Sequence, residues 1–183
     1  MITSVDDIVV LFDRFGNEHY GEDITQAEHA CQCAALADRD GAGEALVVAA
    51  LLHDFGHLLH LATTGEDAHA ADVDDDHEAL GARALAPFFG AEVTGPIALH
   101  VTAKRYRCSV DPTYRDRLSS ASVASLRLQG GPLGAEAAEQ FERHPAAADA
   151  LRLREWDDTG KVVGLRVPPF EDFVARLRAA ARR

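Results

Sequence analysis

The chain has 183 residues, 47% hydrophobic and 26% charged, with a formal net charge of -12. That length suits one domain with a sizeable core and is short for two, so a single domain over residues 1–183 is expected. The negative charge opposes contact with nucleic acid or an anionic membrane, and no basic stripe with interleaved aromatics offsets it, so neither is an expected partner and any anionic small molecule would need a local cluster of cations.

Residues 1–7 carry no basic region followed by an apolar stretch, and no apolar run reaches about 18 residues, so neither a secretory signal nor a membrane span is expected. A cytoplasmic location follows. Thr25-Gln26-Ala27-Glu28 has capping-box spacing and opens a helix to about residue 37, which puts His29 in its first turns. Cys31 and Cys33 fall inside this helix, where their spacing points the two sulfurs in different directions; with Cys108 they read as reduced, structural thiols.

After the turn at Arg39-Asp40-Gly41-Ala42-Gly43, a second helix is expected from about residue 44 to 61, apolar on nearly all sides in its first half and therefore central. It contains Leu51-Leu52-His53-Asp54-Phe55-Gly56-His57. Buried ionisable groups are costly unless paired or bound to metal, so two imidazoles and a carboxylate entering a core point to a metal site. Residues 63–76 lack an apolar period and read as an acidic mobile loop.

Helical patterns resume at about residues 77–89, 91–104, 119–128, 134–143, 145–156 and 170–181, with Pro96 expected in the first turn of its helix or breaking it. Residues 162–167 alternate and could form one short extended piece. The fold class is therefore all-α. Gly130-Gly131 before Pro132 resemble no phosphate-cradling motif and read as a helix stop.

His29, His77, His100 and Asp157 recur on separate helices around the His53-Asp54 pair. Imidazole and carboxylate donors without thiolate suit iron, manganese, zinc or magnesium, and Asp54 could bridge two ions. Six ligands are too many for one catalytic ion with open positions, so a dinuclear site is expected. His19, His60, His69 and His144 read as ordinary satisfied or exposed histidines. His69 precedes His77 in the same loop, and His77 is preferred because Glu78 begins a helical pattern.

The order histidine, histidine-aspartate, histidine, histidine, aspartate resembles the HD-domain superfamily, most of whose members are phosphohydrolases. Several stretches are similar to one branch, the mixed-valent di-iron oxygenases that degrade organophosphonates. These are Gly21-Glu22 with Thr25-Gln26 and Glu28-His29, residues 50–59 around the His53-Asp54 pair, His100-Val101-Thr102-Ala103-Lys104-Arg105-Tyr106, residues 126–132, and residues 151–158 ending in Trp156-Asp157-Asp158. The likeness covers about residues 8 to 175.

The resemblance implies a single HD-type helical bundle with a central buried helix, holding two irons, one ferrous and one ferric, with O2 as co-substrate. It implies cleavage of the carbon–phosphorus bond of a small organophosphonate, a 1-hydroxy-2-aminoalkylphosphonate, to a carboxylic acid and phosphate. One iron would take His29, His53 and Asp157, the other His77 and His100, with Asp54 bridging; Asp157 is preferred over Asp158 on the family match. His57 and Lys104 would act at the reacting substrate and hold the phosphonate oxygens, with Arg154 and Ser122 adding to that clamp.

Glu22 would receive the substrate ammonium. Where the family carries a tyrosine three residues before this glutamate, the chain has His19, with Tyr20 beside it, so either is a candidate for the resting-state ligand, and Tyr20 is also placed against the substrate. The alternatives are a metal-dependent HD-type phosphohydrolase acting on a phosphoester or nucleotide, and a non-enzymatic metal-sensing module.

Overall fold

Seven consecutive residues, Leu46 to Leu52, are buried, so the helix that carries them has no solvent face and the rest of the protein is assembled around it. The computed structural model describes residues 2–19, 23–65 and 76–182. These form ten α-helices in the order α1 (Val5–Phe15), α2 (Gln26–Arg39), α3 (Glu44–Leu52), α4 (Phe55–Thr64), α5 (His77–Leu85), α6 (Ala91–Val110), α7 (Ser120–Leu128), α8 (Ala135–Glu142), α9 (Ala147–Thr159) and α10 (Phe170–Ala180). A single 3-10 turn, Arg115–Arg117, separates α6 from α7.

Helices α2, α6, α9 and α10 pack on α3, and α4 and α5 extend the bundle on one side. No β-strand occurs among the described residues, so the all-α expectation holds. The stretch 162–167 is irregular rather than extended, with Val162, Val163 and Leu165 exposed, because no neighbouring strand is available to pair with it. The capping box at Thr25 and Glu28 forms as expected, each side chain satisfying the other residue's backbone N–H.

Helix α1 closes the bundle on a stack of aromatic rings. Its Ser4-Asp7 capping box sets the start, and the i, i+4 pair Ile8 and Phe12 is buried, with Phe12 stacked 4.1 Å from Phe170 and 6.2 Å from Phe55. No element had been expected here.

One expectation is corrected in a way that shapes the site. The helix expected over 44–61 is broken: α3 ends at Leu52, and Asp54, at φ -97 and ψ 14, starts α4 instead. His53 and His57 therefore sit on different helices. The break lets Gly56 lie against α5, where a β-carbon would stand 2.0 Å from the His77 carbonyl oxygen, so no larger residue fits this crossing. Residues 44–64 together are long and apolar enough to match a membrane-crossing stretch, contrary to expectation, but this one is interrupted and 72% buried within the bundle.

Pro96 neither starts nor ends its helix. It is the sixth residue of α6, which runs through it to Val110. The N–H it lacks would have bonded the carbonyl of Glu92, an exposed residue in the first turn, where water can replace the missing donor.

Candidate metal centre and anion pocket

The break between α3 and α4 turns the Asp54 carboxylate into the middle of four imidazoles. Asp54 Oδ2 lies 3.2 Å from His53 Nε2 and 3.6 Å from His29 Nε2. Its other oxygen, Oδ1, lies 3.4 Å from both His77 Nε2 and His100 Nε2. Each oxygen thus faces its own histidine pair, and within each pair the two Nε2 atoms are 3.2 Å apart. Asp157 completes the first half, with Oδ1 3.4 Å from His29 Nε2 and Oδ2 3.9 Å from His53 Nε2.

These separations fit metal coordination. Two donors each about 2.1 Å from one ion and about 100° apart stand about 3.2 Å from each other. The tautomers fit as well: Nδ1 of His29, His53 and His100 faces the backbone carbonyls of Gly160, Ala50 and Ile97 at 2.8, 2.9 and 2.8 Å. A ring that donates through Nδ1 keeps its Nε2 lone pair for a metal. Finally, the buried oxygens Asp54 Oδ2 and Asp157 Oδ1 have no hydrogen-bond partner among the described residues, although both face imidazole nitrogens. A cation between them would supply what hydrogen bonds do not.

Burial lowers the pKa of His29, while at His53 the opposing pull of the Asp54 and Asp157 carboxylates outweighs burial and raises it. Asp54 is buried, yet the positive character of the imidazoles around it, His53 first, holds its pKa well below the usual carboxylate range. In the same way Arg154 and Lys161 hold Asp157 down against its burial.

Beside the imidazoles lies a group of cations. Lys104 is buried at 3% exposure and donates to Ser125 Oγ at 2.8 Å. Burial first, and then the charges of Arg154 and Lys161, push its pKa down to about 7. Lys161 Nζ donates to Ser122 Oγ at 3.2 Å and stands 3.3 Å from Asp157 Oδ1. Arg154 is buried and divided between two carboxylates, with Nη1 2.6 Å from Asp157 Oδ2 and Nε donating to Asp158 Oδ1 at 2.9 Å. His57 is buried with its ring stacked 4.0 Å from that of His77.

The structure therefore brings together ten of the residues singled out from sequence: His29, His53, Asp54, His57, His77, His100, Lys104, Ser122, Arg154 and Asp157. Glu22, Tyr20 and His69 lie outside the described residues. Asp157 rather than Asp158 faces the histidines. His19 is exposed and its backbone forms an isolated bridge with Thr25, while the His144 ring accepts from the Ala146 N–H at the start of α9. Cys33 is more than a core thiol: its sulfur lies 3.7 Å from His29 Nε2, while Cys31 faces the opposite way, toward Glu171 and Asp172.

Three neighbours went unrecognised in the sequence. Lys161 follows Asp157 by four residues, a spacing that could have flagged it. Ser125 follows Ser122 by three. Gln32 has no such signal: its amide grips the backbone of Val162 from both sides, at 2.9 Å each, and so fixes the segment that carries Gly160 and Lys161.

The fold and site define an all-helical protein whose buried histidines and aspartates form two groups that could each hold a metal ion, beside a cluster of buried cations. No family model matches the chain. It is 46% identical over 163 residues to hydroxymethylphosphonate dioxygenase of Gimesia maris, covering 89% of this chain and 81% of that one. It is 41% identical over 171 residues to [1-hydroxy-2-(trimethylamino)ethyl]phosphonate dioxygenase (glycine-betaine-forming) of Leisingera caerulea, covering 92% and 85%. An uncharacterised protein of Acanthamoeba polyphaga mimivirus is 32% identical over 175 residues, covering 94% and 80%. The chain belongs to the phosphonate dioxygenase family, whose named members are oxidoreductases.

Proposed function

We propose that this protein is an HD-type di-iron oxygenase of the cytoplasm that uses O2 to cleave the carbon–phosphorus bond of a 1-hydroxy-2-aminoalkylphosphonate. For 2-amino-1-hydroxyethylphosphonate the products are glycine and phosphate, and the N-methylated substrates yield N-methylated glycines. One O2 balances the reaction, since its two oxygen atoms appear in the carboxylic acid and the phosphate.

The observation that carries this reading is Asp54, whose two oxygens each face a separate histidine pair, next to buried cations in a chain of net charge -12. His29, His53 and Asp157 would hold one iron and His77 and His100 the other, with Asp54 shared. An iron pair, one ferrous and one ferric, would supply Lewis acidity toward the substrate oxygens and the electrons that O2 chemistry needs.

The protein's own groups bind and orient the substrate. Lys104, poised near neutrality by burial, gains a proton when a phosphonate dianion arrives and then donates to it. Ser122 and Arg154 line the same pocket, and His57 closes it from the His77 side. Glu22 is read as the partner of the substrate ammonium and Tyr20 as its neighbour. Burial of the ligand set keeps bulk water from the reacting carbon, where the stable carbon–phosphorus bond demands oxidation rather than hydrolysis.

The test loads purified protein with iron and incubates it with 2-amino-1-hydroxyethylphosphonate, its N-methylated forms and hydroxymethylphosphonate, with and without O2, following phosphate and carboxylic acid. Oxygen-dependent release of both from an aminated substrate supports the reading. Turnover of hydroxymethylphosphonate alone rejects the amine, and oxygen-independent phosphate release from a phosphoester supports the phosphohydrolase instead. Two irons per chain with a mixed-valent paramagnetic signal is the expected metal state.

A further inference from the structure

Behind Asp157, a line of contacts runs away from the metal-binding half toward the surface. Arg154 spends its Nε and Nη2 edge on one oxygen of Asp158 and reaches Asp157 Oδ2 with Nη1 alone. The second oxygen of Asp158 accepts from the Tyr114 hydroxyl at 2.5 Å. Tyr114 is buried at 2% exposure, burial holds its phenol protonated so that it donates, and its ring carries the Arg107 guanidinium at 4.4 Å. Asp158 and Tyr114 line a surface groove of about 530 Å³.

A guanidinium is a rigid fork that prefers to take both oxygens of one carboxylate. Arg154 has two carboxylates within reach, three and four residues along the same helix. Because Asp158 fills one edge of the fork, Asp157 receives a single contact, on Oδ2. Its Oδ1 stays turned toward His29 Nε2 at 3.4 Å, with the Lys161 ammonium 3.3 Å away and no hydrogen bond among the described residues. Without Asp158, the fork is free to engage both Asp157 oxygens and compete with an ion for them.

We propose that Asp158, clamped by Tyr114, is a positioning residue that occupies one edge of Arg154 and thereby keeps Asp157 Oδ1 available to the ion at His29 and His53. This rests on the reading of the ligand set and not on the identity of the substrate.

The experiment titrates metal-free protein with ferrous iron, anaerobically and against a competing chelator, with folding checked by circular dichroism. Asp158→Asn should bind the ion at His29 and His53 about tenfold more weakly, the low end for changes behind a metal ligand, while the ion at His77 and His100 keeps its affinity. Tyr114→Phe, which retains the ring beneath Arg107, should weaken the same ion a few-fold. Arg154→Ala with Asp158→Asn should bind no more weakly than Arg154→Ala alone.

Wild-type affinity at both positions in a folded Asp158→Asn, equal loss at both, or full additivity with Arg154→Ala overturns the proposal. If the wild type takes up two ions yet oxidises no phosphonate, the proposed function fails and the positioning role stands. If it takes up none, the ligand reading falls and the positioning role falls with it.

Discussion

Replacing Lys104 by methionine should stabilise the metal-free protein while crippling its grip on an anion. The ammonium sits at 3% exposure, and its pKa falls from 10.5 to about 7, burial contributing most and the charges of Arg154 and Lys161 adding to it. At about 1.4 kcal/mol per pKa unit, this drop corresponds to roughly 5 kcal/mol of destabilisation below neutral pH. Losing the bond to Ser125 Oγ costs the variant about 1 kcal/mol, which leaves a net gain of roughly 3 to 4 kcal/mol near pH 7.

Between about pH 7 and 10.5 the unfolded chain holds the Lys104 proton and the native protein does not, so wild-type stability from this group rises with pH. The advantage of Lys104→Met should therefore be largest at or below pH 7 and shrink toward pH 10. Urea denaturation of both chelated proteins from pH 6.5 to 10 measures it directly. A difference that does not change with pH, or a wild type more stable than the variant at pH 7, would refute the argument. In the iron-loaded enzyme the same variant should keep its metal and raise KM for the phosphonate about 10- to 100-fold, the worth of one charge-assisted hydrogen bond.

Further outcomes follow from the crossing of α4 and α5 and from the ligand set. Gly56→Ala forces a β-carbon into the His77 backbone and should cost about 3 kcal/mol in denaturant titrations, with the ion at His77 and His100 lost first. Asp54→Ala should weaken binding of both ions, whereas His53→Ala should abolish activity but leave the ion at His77 and His100 detectable by elemental analysis; a variant of Asp54 that keeps one ion at full affinity would contradict its shared position. Gln32→Ala removes both hydrogen bonds to Val162 and should raise KM several-fold without changing metal content, because the segment carrying Lys161 loosens.

Local signals in the sequence were read well where side chain and backbone act within a few residues of each other. The Thr25-Glu28 capping box, the apolar run before His53 and the starts of α7 and α10 are of this kind. Helix α1 carries a similar local signal, with Val5, Ile8, Val9 and Phe12 spaced for one face behind a Ser4-Asp7 cap. The break at Asp54 has no comparable mark, because the apolar pattern expected over residues 44–61 runs through it. Packing decides it: α4 must turn for Gly56 to meet the His77 backbone and for Asp54 to reach both histidine pairs.

Residue types and their spacing alone pointed to a helical chain, to a central helix that is apolar nearly all round, and to His29, His53, Asp54, His77, His100 and Asp157 as candidate metal ligands. The family resemblance supplied the division of that set, and tertiary structure alone gives its geometry. Which oxygen of Asp54 faces which pair, why Asp157 and not its neighbour Asp158 faces inward, how Lys161 reaches Asp157 and how Gln32 holds Val162 depend on contacts between residues up to 131 positions apart in the chain. Periodicity specifies which face of a helix is buried, but the rotation that points one carboxylate at an imidazole and the next at an arginine is set only when the helices pack.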